Sequence, residues 1–100
     1  MPYVRVWKFR AAPGRTAEFE SAYGPAGDWA RLFRLGEGYL GTELLHPAQT
    51  GGPYLTIDRW RSEADWQRFL DTHGSAYRAL DARLAPLGAE DTEVGNFIVP

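Results

Sequence analysis

An α+β domain with the order strand, helix, strand, strand, helix, strand is predicted by three observations on the sequence. The first is a change of hydrophobic period at Ser62. Alternation over residues 54–61 gives way there to helical spacing through Trp66, Phe69 and Leu70. The second is that alternating segments also lie at residues 3–10, 39–46 and 91–99. The third is punctuation: Gly- and Pro-containing runs at 11–14, 24–27, 36–38 and 47–53 separate the patterned segments.

The first strand, residues 3–10, sets Tyr3, Arg5, Trp7 and Phe9 on one side and Val4 and Val6 on the other. Both faces carry apolar bulk, so both are expected to be covered. A short helix over residues 15–23 follows, with Phe19, Ala22 and Tyr23 at helical spacing. Glu18 lies near its N-terminus, where the dipole favours negative charge. Asp28 is placed to cap a second short turn through Trp29 and Phe33. Gly36 and Gly38 precede the second strand, 39–46. A loop of turn formers, 47–53, then leads to the third strand, 54–61.

Ser62-Glu63-Ala64-Asp65 has the form of a capping box with Asp in place of Glu. The apolar stripe Trp66, Phe69, Leu70 resumes after His73-Gly74 with Tyr77, Leu80, Leu84 and Leu87, which predicts a helix broken or kinked near Gly74. Pro86 and Gly88 end it. The last strand turns Val94, Asn96 and Ile98 to one face and Phe97 and Val99 to the other.

This order is the ferredoxin-like split βαβ arrangement, a four-stranded antiparallel sheet whose right-handed crossovers put both helices on one face. Val4, Val6, Leu40, Leu44, Leu55, Ile57, Phe97 and Val99 are then expected to line the other face. An apolar face of that size predicts a two-fold homodimer packed sheet on sheet.

One hundred residues suit one domain, residues 1–100, with a single core. The four tryptophans and 14% aromatic content need a core, a ligand cavity or a subunit interface to occupy. A net charge of −2 with scattered Lys and Arg carries no footprint for nucleic acid. No apolar run approaches the ~20 residues that span a bilayer, and residues 1–5 lack a signal-peptide layout, so a cytoplasmic location is expected. The absence of cysteine excludes a disulfide framework, a thiolate nucleophile and zinc–thiolate chemistry.

Candidate chemistry centres on the strand end before Ser62. Trp60 either walls a pocket or plugs the core. Asp58 shares its face and points toward the helices. Asp58 either moves a substrate proton or pairs with a cation such as Arg5 or Arg83. His73 is a cap or surface residue, a proton carrier, or a haem ligand from a helix. His46 adjoins Pro47 and belongs to a loop. Two distant histidines make no metal spacing. The Gly36-Glu37-Gly38 turn opens no helix and so is no phosphate loop. Tyr23, Trp29, Phe33 and Tyr77 either fill the core or ring the open end of a cavity suited to a flat apolar ligand.

The stretches Gly27-Asp28-Trp29-Ala30-Arg31-Leu32-Phe33, Gly38-Tyr39-Leu40-Gly41-Thr42-Glu43-Leu44-Leu45 and Tyr54-Leu55-Thr56-Ile57-Asp58-Arg59-Trp60-Arg61-Ser62 together resemble the antibiotic biosynthesis monooxygenase-like family. The resemblance covers nearly the whole chain, and the Arg-Trp-x-Ser ending is its most specific part. It implies a dimeric α+β barrel with a cavity between sheet and helices in each protomer. That cavity would be lined by Arg5, Trp7 and Phe9, by Thr56, Asp58 and Trp60, and by Phe69, His73 and Tyr77.

Trp60 matches the tryptophan that polyketide oxygenases of the family place beside substrate, and Trp7 stands where haem-degrading relatives carry an asparagine. The activity the resemblance implies is cofactor-independent oxygenation of an aromatic, polyketide- or quinol-like substrate. Arg5 would steady the oxyanion and Asp58 or His73 would move the proton, without metal or cofactor. Its alternative is a non-catalytic, stress-related dimer holding a small apolar molecule, haem included.

Overall fold

These patterns become four strands and three helices in the computed structural model, which describes residues 1–100. The order is β1 (Tyr3–Ala11), α1 (Thr16–Tyr23), α2 (Asp28–Phe33), β2 (Tyr39–Leu45), β3 (Tyr54–Trp60), α3 (Glu63–Leu84) and β4 (Gly88–Ile98). A 3-10 turn, Ala85–Leu87, joins α3 to β4. The sheet runs β2-β3-β1-β4 with every neighbouring pair antiparallel. This is the ferredoxin-like α+β fold.

The junction at Ser62 forms as the sequence requires. Ser62 is extended, and its Oγ accepts the Asp65 backbone N–H at 3.1 Å. The usual capping box would send the side chain at position 65 back to the Ser62 N–H. Asp65 instead accepts from Ser62 Oγ at 3.0 Å and from the Arg61 and Arg68 guanidinium groups. α3 kinks at His73 (φ −120°, ψ 16°), one residue before the glycine. The cap expected from Asp28 is not made. Gly27 is the capping position and Asp28 the first helical residue, and its carboxylate pairs with Arg31 and Arg83.

Tyr3, Tyr54, Trp60 and Trp66 meet Phe19, Phe33 and Phe69 between the sheet and the helices. The Trp60, Phe19 and Phe69 side chains are fully buried. Phe33 packs edge-on against Trp60, Trp66 and Phe69, so the short helix α2 is pinned by aromatic geometry rather than by length.

Two irregularities set which side chains face this layer. A register shift between Tyr39 and Gly41 puts Thr42 opposite Asp58 and Leu44 opposite Thr56. Leu44 therefore packs against the core, contrary to the expectation that it lies on the open face. Leu45, paired with Leu55, takes that place and is 41% exposed. A second shift, between Val6 and Trp7, brings Glu93 opposite Trp7. Asn96 and Ile98 face the helix side as expected, opposite Arg5 and Tyr3, and Phe97 lies opposite Val4 on the open face. Leu40, Leu45, Phe97 and Val99 are exposed there, while Val6, Leu55 and Ile57 are half-buried.

Candidate functional site

Beside the aromatic layer, along the middle of β1 and β3, a cavity of about 100 Å³ opens between the sheet and the helices. β1 contributes Arg5, Trp7 and Phe9 to its wall, and β3 contributes Thr56 and Asp58. Strand alternation puts these residues on one face, and the antiparallel register sets Arg5 beside Asp58 and Trp7 beside Thr56. Tyr23, Trp29, Phe33 and Tyr77 close it from the helix side. Thr42, Asp81 and Asp91 complete the lining.

Asp58 is the chemical centre of this wall. It is only 8% exposed. Its Oδ1 accepts from Thr42 Oγ1 at 2.6 Å, and Thr42 Oγ1 lies 2.5 Å from the Tyr39 hydroxyl. Thr42 has one hydroxyl proton and gives it to the ionised carboxylate, so Tyr39 donates to Thr42. The second oxygen, Oδ2, has no protein partner and stays open to the cavity. Burial pushes the Asp58 carboxyl up to about 6, against the opposing pull of the Thr42 hydrogen bond and the Arg5 charge.

Asp58 forms no ion pair with either expected cation. The Arg5 guanidinium lies over the Trp66 ring, 3.9 Å from its centroid, with Nη2 3.7 Å from Glu93. Its Nε is buried without a partner. Arg83 is held by Asp28 at the first residue of α2, 3.6 Å away. Arg5 thus acts on Asp58 through its field rather than through a hydrogen bond.

Arg5, Trp7, Tyr23, Trp29, Phe33, Asp58 and Tyr77 are brought together around the cavity. Trp60, Phe69 and His73 do not reach it. Trp60 and Phe69 sit behind its wall, where Trp60 makes edge-on and tilted contacts with Phe33, Tyr39 and Trp66 and leaves its indole N–H unpartnered. His73 lies at the α3 kink against the Phe69 ring. Strand alternation is enough to put Trp60 on the right face; its depth comes from α2, whose Phe33 fills the space above it. His46 packs edge-on against Tyr54 at the start of β3, 3.4 Å from Glu20, and does not line the cavity.

Sequence reasoning missed Thr42, Asp81 and Asp91. Simple alternation from Tyr39 turns Thr42 outward, and only the bulge reverses it. Asp81 follows Tyr77 by one helical turn, which is a usable signal. Asp91 pairs with Phe9 and so shares its face.

The family model for antibiotic biosynthesis monooxygenase matches residues 2–80. The chain belongs to the antibiotic biosynthesis monooxygenase family. No curated protein matches it by sequence. Among solved structures, SnoaB, a cofactor-independent oxygenase from Streptomyces nogalater, superposes with a TM-score of 0.74 at 24% identity, covering 99% of this chain and 93% of that one. PA3566 from Pseudomonas aeruginosa gives 0.68 at 18% identity, covering 99% and 94%. A single-site mutant of MhuD with two manganese protoporphyrin IX molecules bound per active site gives 0.68 at 21%, covering 97% and 93%. At these identities the likeness is one of fold.

This family member's own residues do not fit a porphyrin held by histidine. No histidine lines its cavity, since His73 is turned against Phe69. The lining carboxylates Asp81 and Asp91 would also face the porphyrin's acidic edge.

Proposed function

We propose that the protein is a cofactor-independent monooxygenase of an aromatic, easily deprotonated substrate of polyketide or quinol type. The observation that carries this reading is Asp58: a buried carboxylate, raised to about 6, with one oxygen free toward an aromatic-walled cavity. Such a group is mostly ionised at neutral pH yet a stronger base than an ordinary aspartate. The walls Trp7, Phe9, Trp29 and Tyr77 suit a flat ring.

On this reading Asp58 Oδ2 takes a proton from a ring hydroxyl or an activated C–H. The negative charge that develops on the substrate oxygen is opposed by Arg5, the one cation in the lining. The electron-rich anion transfers its electrons to O2 and a carbon–oxygen bond forms. The resulting peroxide loses water as Asp58 returns the proton. One O2 and two substrate hydrogens thus become a new carbonyl and one water.

Substrate turnover in the proposal happens in each protomer of a cytoplasmic homodimer, associated through the open sheet face where Leu45, Phe97 and Val99 are exposed. No helix is long and apolar enough to cross a membrane. Oxygen uptake with a panel of anthrones and hydroquinones tests the reading. Wild-type protein is expected to consume one O2 per substrate, and Asp58→Ala to slow this at least about 100-fold. Lack of uptake with every member of the panel would refute it.

A further inference from the structure

The cavity carries a charge pattern that an anion-generating oxygenase does not by itself require. Three carboxylates line it, from β3, α3 and β4: Asp58, Asp81 and Asp91. The only cation in the lining, Arg5, stands opposite Asp58 across β1 and β3 and lies over the Trp66 ring, with Nη2 3.7 Å from Glu93. Asp81 and Asp91 enter none of the protein's ion pairs within 4 Å, although Arg10, Arg31 and Arg83 are each matched with other acids. Burial raises the Tyr23 hydroxyl, and the charges of Asp81 and Asp91, which line the cavity with it, add to that rise. No group of three or more His, Asp and Glu side chains is gathered here to hold a metal ion.

The second element is independent of charge count. Asp58 is more than nine-tenths buried, and its unpartnered Oδ2 opens into the same space. The free oxygen of this buried carboxylate, open to the cavity, can accept a donor from a ligand. Aromatic faces between these acids complete an environment suited to an organic cation. Ring quadrupoles and carboxylates both favour positive charge, and low-dielectric walls concentrate the field.

We infer that the ligand of this cavity is an aromatic molecule bearing a basic amine, held with its ring among Trp7, Phe9 and Trp29 and its ammonium group between Asp81 and Asp91. This deepens the oxygenase reading by naming a substrate class, and it rests on the same cavity being the ligand site. Acidic aromatics, with a carboxylate or sulfonate at that end, are disfavoured by like charge.

A matched pair of probes tests it: 2-(aminomethyl)anthraquinone and anthraquinone-2-carboxylate, titrated against tryptophan fluorescence. The cation is expected to bind about tenfold more tightly than the anion at low ionic strength. Asp81→Asn/Asp91→Asn should shrink that ratio to within about threefold. Both positions are exposed, so this variant keeps its fold, which circular dichroism verifies. Equal affinities, tighter binding of the anion, a ratio that survives the double substitution, or no saturable quenching by either probe would overturn the inference. Because the readout is binding, a charge preference without any oxygen uptake would refute the oxygenase reading alone. Uptake without a charge preference would refute this inference alone.

Discussion

Two aspartates of the same strand-to-helix junction, Asp58 and Asp65, are both buried, at 8% and 2% exposure. They end in opposite states. Asp65 is held down to about 2, first by the Arg61 hydrogen bonds at 2.7 and 3.0 Å, with Arg68 and Ser62 adding to them. Asp58 is pushed up to about 6 because burial is answered only by a neutral threonine and a guanidinium that makes no hydrogen bond to it. Burial alone therefore does not decide what a carboxylate does; the number and charge of its partners decide it. Asp65 is locked into structure, down to the glycine against it: Gly38 has φ +88°, and a Cβ there would collide with the Asp65 carboxylate. Asp58 retains a free oxygen facing space that a ligand can enter.

The largest expected break in this contrast is kinetic. Asp58→Asn removes the base and should cut oxygen uptake at least about 100-fold. Asp65→Asn, by disturbing only the cap and its arginine pairs, should leave uptake per folded molecule within about twofold while lowering the melting temperature. Equal losses in the two variants would erase the distinction.

Stability against pH separates the pair next. A carboxyl raised in the folded state binds its proton more tightly there, so Asp58 contributes stability below about pH 4 that is lost as pH rises through about 6. Asp65 is lowered, so its contribution is present above about pH 4 and is lost as pH falls toward 2. Urea titrations at pH 8 should therefore find Asp58→Asn more stable than wild type by up to about 3 kcal/mol, with the slope between pH 4 and 6 flattened.

A subtler change sharpens the contrast from one side. Thr42→Val removes the hydrogen bond that lowers Asp58, so the apparent midpoint should move further up, seen as a later rise in the pH profile of kcat/KM. The smallest effect belongs to Arg68→Ala. Its partner Asp65 keeps Arg61 and Ser62, and Arg68 itself is 57% exposed, so the melting temperature should fall by only about 1–3 °C.

Most of the fold was legible because it depends on periods. The change of spacing at Ser62, the cap there and the break beside Gly74 all follow from local rules, and all form. The antiparallel order β2-β3-β1-β4 follows from element order and crossover handedness. The site was legible only by face. Alternation on β1 and β3 was enough to turn Arg5, Trp7 and Asp58 toward the helices.

What alternation cannot give is depth. Trp60 and Asp58 share a face, but one lies under Phe33 and the other borders open space. Nor can it foresee a bulge. The extra residue near Leu40 reversed Thr42 and Leu44 together, supplying Asp58 with its hydrogen-bond donor and taking a leucine off the open face. Asp81 and Asp91 read as ordinary surface acids until α3 and β4 bring them to one cavity.

Titration of the two carboxyl carbons by 13C NMR, with Asp58→Asn and Asp65→Asn used to assign the signals, bears on this contrast most directly. If Asp58 is the poised base, its signal moves with a midpoint near 6 while that of Asp65 stays in its ionised position down to about pH 2. An Asp58 midpoint at the ordinary value near 3.8 would contradict it.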